Sequence, residues 1–234
     1  MKKDEVMDKQ HELEVVVEPV MNVQETTSQL FDLELVNAEL KNAVETLSNV
    51  RLAVSVFGSA RLKPTHPAYQ IALEIAEKLS AKGISIITGG GPGVMEAGNK
   101  GCQLGEKGQS IGLNIKLPRE QSPNPYQDIS LHFDHFLTRK TIFMDYSSAY
   151  ICVPGGFGTL DELMEAITLM QTKKMALKPV ILVDRQFWQP LMHWFSSEFL
   201  LHEMIVEEDL SKFILVDTAE EVIEALSVSL GLSL

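Results

Sequence analysis

The chain has 234 residues, of which 45% are hydrophobic and 22% charged, a composition typical of a globular protein with one or two domains. The formal net charge is −12, because 32 acidic residues outnumber 20 lysines and arginines. An acidic chain is poorly suited to holding a nucleic-acid backbone or an anionic membrane surface, so we expect neither as a partner.

The cysteines and the N-terminal residues indicate in which cellular compartment the protein is expected. Cys102 and Cys152 form no CxxC pair, which argues against a disulfide framework and a cysteine-based zinc site. The N-terminus lacks the apolar core of a secretory signal, and no run approaches the ~20 apolar residues of a membrane span. The six histidines form no HExxH motif and are expected to be structural. These features predict a cytoplasmic protein without a metal site.

The first 50 residues differ chemically from the rest. They hold 11 acidic and 4 basic residues, a net charge of −7, and none of the 15 glycines. Residues 1–21 predict an acidic tail, and from Thr26 apolar residues spaced three and four apart predict an amphipathic helix. Its apolar stripe is expected to pack on the same chain or on another subunit. We therefore predict a tail and helix over residues 1–50 and a single domain over residues 51–234.

After residue 50, short apolar strands alternate with amphipathic helices. Strands are predicted at residues 51–57, 84–88, 110–115, 129–133, 150–153, 179–183 and 213–216. Helices are predicted at residues 67–81, from 94, and at 137–146, 159–171, 187–201 and 218–227. This rhythm predicts an α/β fold, a Rossmann-like, doubly wound and mostly parallel sheet with helices on both faces. Such sheets bind ligands beyond the carboxyl ends of their strands.

Three glycine-rich turns follow directly after predicted strands, at residues 58–60, 89–93 and 155–158. Glycine lets the backbone approach a ligand closely, and the start of the next helix offers free N–H groups to an anion. The last two turns, with the Thr159 hydroxyl, therefore predict a phosphate cradle; the alternative is that the glycines only form tight turns. Neither turn continues as GxGxxG or as a P-loop, so we expect a monophosphate rather than a dinucleotide or a triphosphate.

Charged residues near these turns are candidates for chemistry. Asp161 and Glu162 fall in the first turn of a predicted helix, where the helix dipole favours carboxylates. For Asp161 this favourable position alone explains the residue. A carboxylate beside a bound phosphate is unfavourable, so Glu162 is expected to act chemically, for example by stabilising a developing cation. Arg139 and Lys140 open another helix, where the dipole disfavours cations, which favours a role with a ligand or a carboxylate.

The sequence PGGFGTLDE at residues 154–162 matches the PGGxGTxxE motif of the LONELY GUY (LOG) family of cytokinin riboside 5′-monophosphate phosphoribohydrolases. Arg139-Lys140 resembles the family's Arg-Lys pair, with Arg139 placed 23 residues before Glu162. Residues 57–61, 89–96 and 117–120 also resemble family segments. The resemblance spans roughly residues 50–220, and paired motifs at this spacing are highly specific.

The resemblance implies hydrolysis of the N-glycosidic bond of a purine or cytokinin riboside 5′-monophosphate to free base and ribose 5-phosphate, without cofactor or metal. It implies that Arg139 and Glu162 are catalytic. It also implies that the following residues contact the substrate: Gly58, Ser59, Gly90, Gly91, Gly93, Glu120, Lys140, Gly155, Gly156, Phe157, Gly158, Thr159 and Thr168. Family members are dimeric, and some form larger assemblies, so a homodimer or higher oligomer is expected. Many carry a "lysine decarboxylase" label, although no lysine here stands out as a pyridoxal-phosphate anchor.

Several alternatives remain open. Glu162 would act electrostatically, as the base for the attacking water, or as a nucleophile. Residues 1–50 lie outside the short core of plant-type members, so a general purine nucleotide, with AMP as first choice, is expected before a cytokinin precursor. A second function is a non-catalytic nucleotide-binding or carrier protein on the same scaffold. A third is an interaction protein that works through the helix at residues 26–48.

Overall fold

The computed structural model describes residues 32–117 and 122–234. The strands of these residues are β1 (Ala53–Phe57), β2 (Ser85–Thr88), β3 (Ser110–Ile115), β4 (Ile129–Phe133), β5 (Ala149–Cys152), β6 (Val180–Val183) and β7 (Phe213–Val216). Their α-helices are α1 (Leu33–Leu47), α2 (Pro67–Ser80), α3 (Val94–Gly105), α4 (Phe136–Tyr146), α5 (Phe157–Gln171), α6 (Arg185–Trp194), α7 (Glu207–Leu210) and α8 (Ala219–Leu230). A π-helical segment, Phe195–Leu200, continues α6. None of these helices is long and apolar enough to cross a membrane.

The seven strands form one parallel sheet in the order β4-β3-β2-β1-β5-β6-β7, which confirms the predicted fold class. The chain builds outward from β1 to β4 and then returns to the other side of β1 as β5. In this central pair, Phe57 lies opposite Cys152. The chain leaves β1 towards β2 and leaves β5 towards β6, in opposite directions along the sheet, so the helices that follow, α2 and α5, cover opposite faces. A crevice therefore opens between the two connections at the carboxyl ends of the strands.

Apolar layers cover both faces of the sheet. Every residue of β1, β2, β5 and β6 is buried, as expected for central parallel strands. One layer contains Ile75 of α2 and Val222 of α8, whereas the other contains Phe143 of α4, Leu163 of α5 and Trp188 of α6. Each of these large side chains contributes about 1.5–3 kcal/mol by leaving water, so packing holds the helices that carry the crevice residues.

Helix α1 packs on this body with one face. Its buried residues Glu39, Ala43 and Leu47 recur every four positions, and the last two join the same apolar layer as α4 and α5. The predicted helix is thus present from Leu33. Leu40 and Leu47 of its apolar stripe pack on the core of their own chain, whereas Leu33 and Val44 are exposed. The predicted capping positions at residues 26–28 lie outside the described residues. A domain boundary near residue 50 stays a prediction.

The helices differ from the predictions by one to three residues at several ends, and three differences have a clear physical reason. Helix α5 begins at Phe157, two residues earlier than predicted, because Gly156 already has the extended backbone of an N-cap. The helix predicted over residues 187–201 changes from α to π geometry at Phe195, a change that a 3.6-residue period does not encode. Helix α7 has only four residues, too few to produce a recognisable period.

Candidate active site

A cavity of about 990 Å³ lies at the carboxyl ends of β1 and β5. The loop after β1 contributes residues 58–62 to its wall, and the loop after β5 with the start of α5 contributes residues 154–159. The remaining wall includes Arg139 from α4 and Glu162 from α5. The cavity therefore lies at the place where an open parallel sheet is expected to bind its ligand.

Backbone contacts join the three glycine turns into one unit. The N–H of Ser59 donates to the carbonyl of Pro154 at 3.1 Å, and the N–H of Val94 donates to the carbonyl of Ser59 at 3.0 Å. Gly93 has φ +68°, and a Cβ at this position would lie 2.4 Å from the Ser59 oxygen. Only glycine accommodates both this backbone conformation and this close approach. The loop after β1 is thereby fixed between the other two turns.

Side-chain amides hold the turn after β2 from outside the cavity. The carbonyl oxygen of Gly90 accepts from the backbone N–H of Asn124 at 2.8 Å, from its Nδ2 at 3.0 Å and from Nε2 of Gln127 at 2.8 Å. Asn124 Nδ2 also donates to the Gly91 carbonyl at 3.0 Å. These two anchoring residues lie between β3 and β4, where no local motif marked them in the sequence.

The start of α5 presents unsatisfied backbone donors to the cavity. The first bond of the helix runs from the Leu160 N–H to the Gly156 carbonyl at 3.0 Å, so the amides of residues 157–159 precede the intrahelical ladder. Gly156 carries no side chain that could cap them. These amides, the Thr159 side chain and the positive end of a 15-residue helix form a site suited to an anion.

Arg139 and Glu162 face each other in this cavity. Arg139 Nη2 lies 3.8 Å from Glu162 Oε1, and the two side chains are only 12% and 6% exposed. The guanidinium also lies over the ring of Phe143, 5.3 Å from its centroid, in a cation–π contact. Arg139 Nε and Glu162 Oε2 are buried without a hydrogen-bond partner among the described residues. The pair therefore retains polar atoms for a further contact.

Burial dominates the electrostatics of Glu162. It raises the pKa of this carboxyl from the ordinary 4.5 to about 7, against the opposing effect of Arg139 and Lys140. The neighbouring carboxylates of Asp161 and Glu165 raise it further. Burial also lowers the pKa of Arg139, but a guanidinium stays protonated in proteins. At neutral pH Glu162 is thus poised between its acid and its carboxylate form, which suits proton transfer.

Lys140 is engaged elsewhere. Its Nζ lies 2.9 Å from Asp161 Oδ1 and 2.8 Å from Glu165 Oε2, and the residue does not line the cavity. These two carboxylates flank Glu162 on α5. The observed contacts therefore make Lys140 a counter-charge for the neighbours of Glu162, while a direct contact with substrate stays a prediction.

The structure brings most of the predicted site residues together. Those that line the cavity are Gly58, Ser59, Arg139, Gly155, Gly156, Phe157, Gly158, Thr159 and Glu162. Gly90, Gly91 and Gly93 form the adjoining turn without lining this cavity. Thr168 is exposed on α5, about 9 Å along the helix axis from Glu162 at 1.5 Å per residue. Glu120 lies outside the described residues.

Sequence reasoning missed Asp184, which lines the cavity at the carboxyl end of β6. Its backbone has φ +83°, a conformation that non-glycine residues rarely adopt, and its side chain accepts from the Phe187 N–H at 3.1 Å. Strained backbone often occurs at functional sites. An aspartate between a predicted strand and a predicted helix was the available signal.

The fold is shared with solved structures. The molybdenum cofactor carrier protein of Chlamydomonas reinhardtii matches with a TM-score of 0.59 at 22% sequence identity, over 77% of this chain and 99% of that chain. At this identity the likeness defines the fold alone. The protein is accordingly a Rossmann-like α/β protein with a parallel sheet.

The sequence relatives define the family. The family described as "Possible lysine decarboxylase" matches residues 86–226. The cytokinin riboside 5′-monophosphate phosphoribohydrolase LOG of Oryza sativa subsp. japonica is 30% identical over 185 residues, which are 76% of this chain and 74% of that protein. The cytokinin riboside 5′-monophosphate phosphoribohydrolase of Mycobacterium tuberculosis is 31% identical over 140 residues, 56% of this chain and 70% of that protein. This chain belongs to the LOG family, so the resemblance inferred from its motifs is confirmed.

Proposed function

We propose that this protein hydrolyses the N-glycosidic bond of a purine or cytokinin riboside 5′-monophosphate, releasing free base and ribose 5-phosphate. The observation that carries the proposal is the buried Arg139–Glu162 pair, 3.8 Å apart, in the same cavity as the open start of α5. The names of the rice and mycobacterial relatives support the same reaction.

The phosphate would bind at the start of α5. Backbone amides carry no net charge, so the N–H groups of residues 157–159 can hold an anion although the chain is acidic. Glu162 follows Thr159 on the same helix, about 4.5 Å further along its axis at 1.5 Å per residue. A phosphate on the amides therefore leaves the ribose of the same nucleotide within reach of the carboxylate.

The chemistry requires a negative group beside the ribose. As the bond between C1′ and the base nitrogen breaks, positive charge develops on the sugar, and a nearby carboxylate stabilises it. Water supplies the oxygen that bonds to C1′, and the base leaves with a proton. Glu162 would act electrostatically, as the base for the water, or as a nucleophile. Arg139 would orient Glu162 or the substrate through charge-assisted contacts.

The proposal is tested by incubating the purified full chain with AMP, GMP, CMP and isopentenyladenosine monophosphate. Chromatography of the free base and an enzymatic assay of ribose 5-phosphate measure the products. We expect release of adenine from AMP in equal amount with ribose 5-phosphate. If a nucleotide binds and none is cleaved, a nucleotide-binding or carrier protein on this scaffold replaces the enzyme.

We also propose that the protein works as a homodimer or a larger assembly. Three aromatic side chains on the cavity wall, Phe136, Phe157 and Phe187, are exposed, and Phe157 is 92% exposed. Exposed apolar side chains beside a binding site are typical of a surface covered by a partner. Sedimentation of the wild type and of Phe157→Ser would test this, since the substitution should shift the protein towards monomer.

A further inference from the structure

Glu39 of α1 extends its carboxylate to the start of α4. The backbone N–H of Asp134 donates to its Oε1 at 2.6 Å, and the hydroxyl of Thr138 donates to its Oε2 at 2.5 Å. His135 Nδ1 lies 3.2 Å from the same Oε2. Glu39 is 7% exposed, and a buried carboxylate requires such partners because it has left water. One side chain of α1 thus contacts three residues at the start of α4, Asp134, His135 and Thr138.

Helix α4 has no comparable group of its own. Its N-cap, His135, makes no side-chain capping bond, and the first turn contains no acidic residue. That turn instead ends at Arg139, where the helix dipole disfavours a cation. The carboxylate of Glu39 supplies the negative charge that this helix end lacks, and it binds the Asp134 N–H just before the N-cap and the Thr138 hydroxyl in the first turn.

The contacts of Glu39 lie directly beside Arg139 in the chain. Thr138 precedes Arg139, and the Arg139 N–H donates to the His135 carbonyl at 3.3 Å in the first turn. On the other side, Leu47 of α1 belongs to the same apolar layer as Phe143, whose ring contacts the Arg139 guanidinium. Helix α1 is therefore fixed to the core and, through Glu39, fixes the turn that carries Arg139.

We infer that Glu39 is a positioning residue whose carboxylate holds the first turn of α4 so that the Arg139 guanidinium stays beside Glu162. This inference rests on the proposed function for its catalytic consequence. It gives α1 a part in the reaction, although residues 1–50 lie outside the short core of the plant-type family members.

The test compares Glu39→Gln and Glu39→Ala in the full chain with Glu45→Gln as the matched control. Glu45 lies on the same helix, is 68% exposed and pairs with Lys41 across solvent at 3.9 Å. Hydrogen exchange of the amides of residues 134–139 should be at least tenfold faster in both Glu39 variants and unchanged in the control. With AMP, kcat should fall about tenfold in Glu39→Gln with little change in KM, because the start of α5 is untouched.

A double variant separates positioning from general destabilisation. If Glu39 acts through Arg139, Glu39→Gln combined with Arg139→Lys should lose no more kcat than Arg139→Lys alone. Losses that multiply overturn the inference, and so does faster exchange with an unchanged kcat. Glu39→Gln keeps the size of the side chain and an acceptor oxygen, so it carries the test if Glu39→Ala does not fold. A wild type that cleaves no nucleotide overturns the proposed function instead, and unchanged exchange in Glu39→Gln then overturns the role of Glu39 in holding the start of α4.

Discussion

The guanidinium of Arg139 and the carboxylate of Glu162 lie 3.8 Å apart, close enough to attract but too far for a direct hydrogen bond. Each keeps a buried polar atom without a partner among the described residues. A structural ion pair is expected to close, because an unsatisfied buried polar atom destabilises a fold. Lys140 provides the contrast, since its Nζ lies 2.9 Å from Asp161 Oδ1, within hydrogen-bond distance. The open pair supports a reactive role for Arg139 and Glu162.

Replacing Glu162 by glutamine should separate binding from turnover. Glutamine keeps the shape of the side chain but cannot carry the negative charge that a developing cation on the ribose needs. We expect turnover of AMP to fall on the order of 10²-fold or more, while calorimetry shows AMP binding retained. Glu77→Gln, an exposed site on α2, is the control. Adenine release near the wild-type rate in Glu162→Gln would falsify the assignment.

The pH dependence of kcat/KM should report the titration of Glu162. Since the proposed roles need a carboxylate, activity should rise with pH through about 7, the raised pKa of Glu162. Lys140 lowers that pKa, so Lys140→Met should move the midpoint of the rise to higher pH. Lys78→Met, which removes an exposed pair with Glu220, should leave it in place. A midpoint that stays fixed or moves to lower pH in Lys140→Met contradicts this account.

The same carboxyl should make stability depend on pH. Because its pKa is about 7 when folded and near 4.5 when unfolded, the folded protein retains a proton that the unfolded chain has released between these values. This contribution is fully present below pH 4.5 and is lost as pH rises through 7. From pH 5 to 8, Glu162→Gln should therefore gain ~2–3 kcal/mol of unfolding free energy relative to wild type. Urea denaturation at both pH values measures this, and a constant difference would contradict it.

Gly155 should not tolerate a side chain. A Cβ at this position would lie 2.0 Å from Thr159 Oγ1, so Gly155→Ala must displace the threonine of the proposed phosphate site. We expect a loss of ~1–3 kcal/mol in unfolding free energy from overpacking and at least tenfold weaker AMP binding. A Cβ at Gly158 meets nothing within 4 Å, so Gly158→Ala should keep wild-type stability or exceed it. Equal unfolding midpoints for the two variants would argue against this account.

Local patterns in the sequence predicted the seven strands of the described residues and most of their helices, and they marked most of the residues that line the cavity. The strand at Ile129–Phe133 was predicted correctly, and the glycine turn after β5 was predicted two residues too long, because such strands and turns depend on neighbouring residues. Glu162 was predicted as reactive from its place after that turn. Asp184 was missed although an aspartate before a predicted helix was a usable signal, whereas no local pattern distinguishes the anchoring amides of Asn124 and Gln127 from ordinary loop residues.

The sequence by itself determined an α/β fold with glycine turns at the carboxyl ends of its strands, and its motifs determined the family. Only the tertiary structure decided that β5 lies beside β1 and that Lys140 pairs with a carboxylate while Arg139 makes no direct hydrogen bond to Glu162. It also decided that Glu39 contacts the start of α4 at His135, 96 residues further along the chain. The physical reason is that propensity and hydrophobic period act over a few residues, whereas these relationships depend on strand pairing and packing between distant parts of the chain.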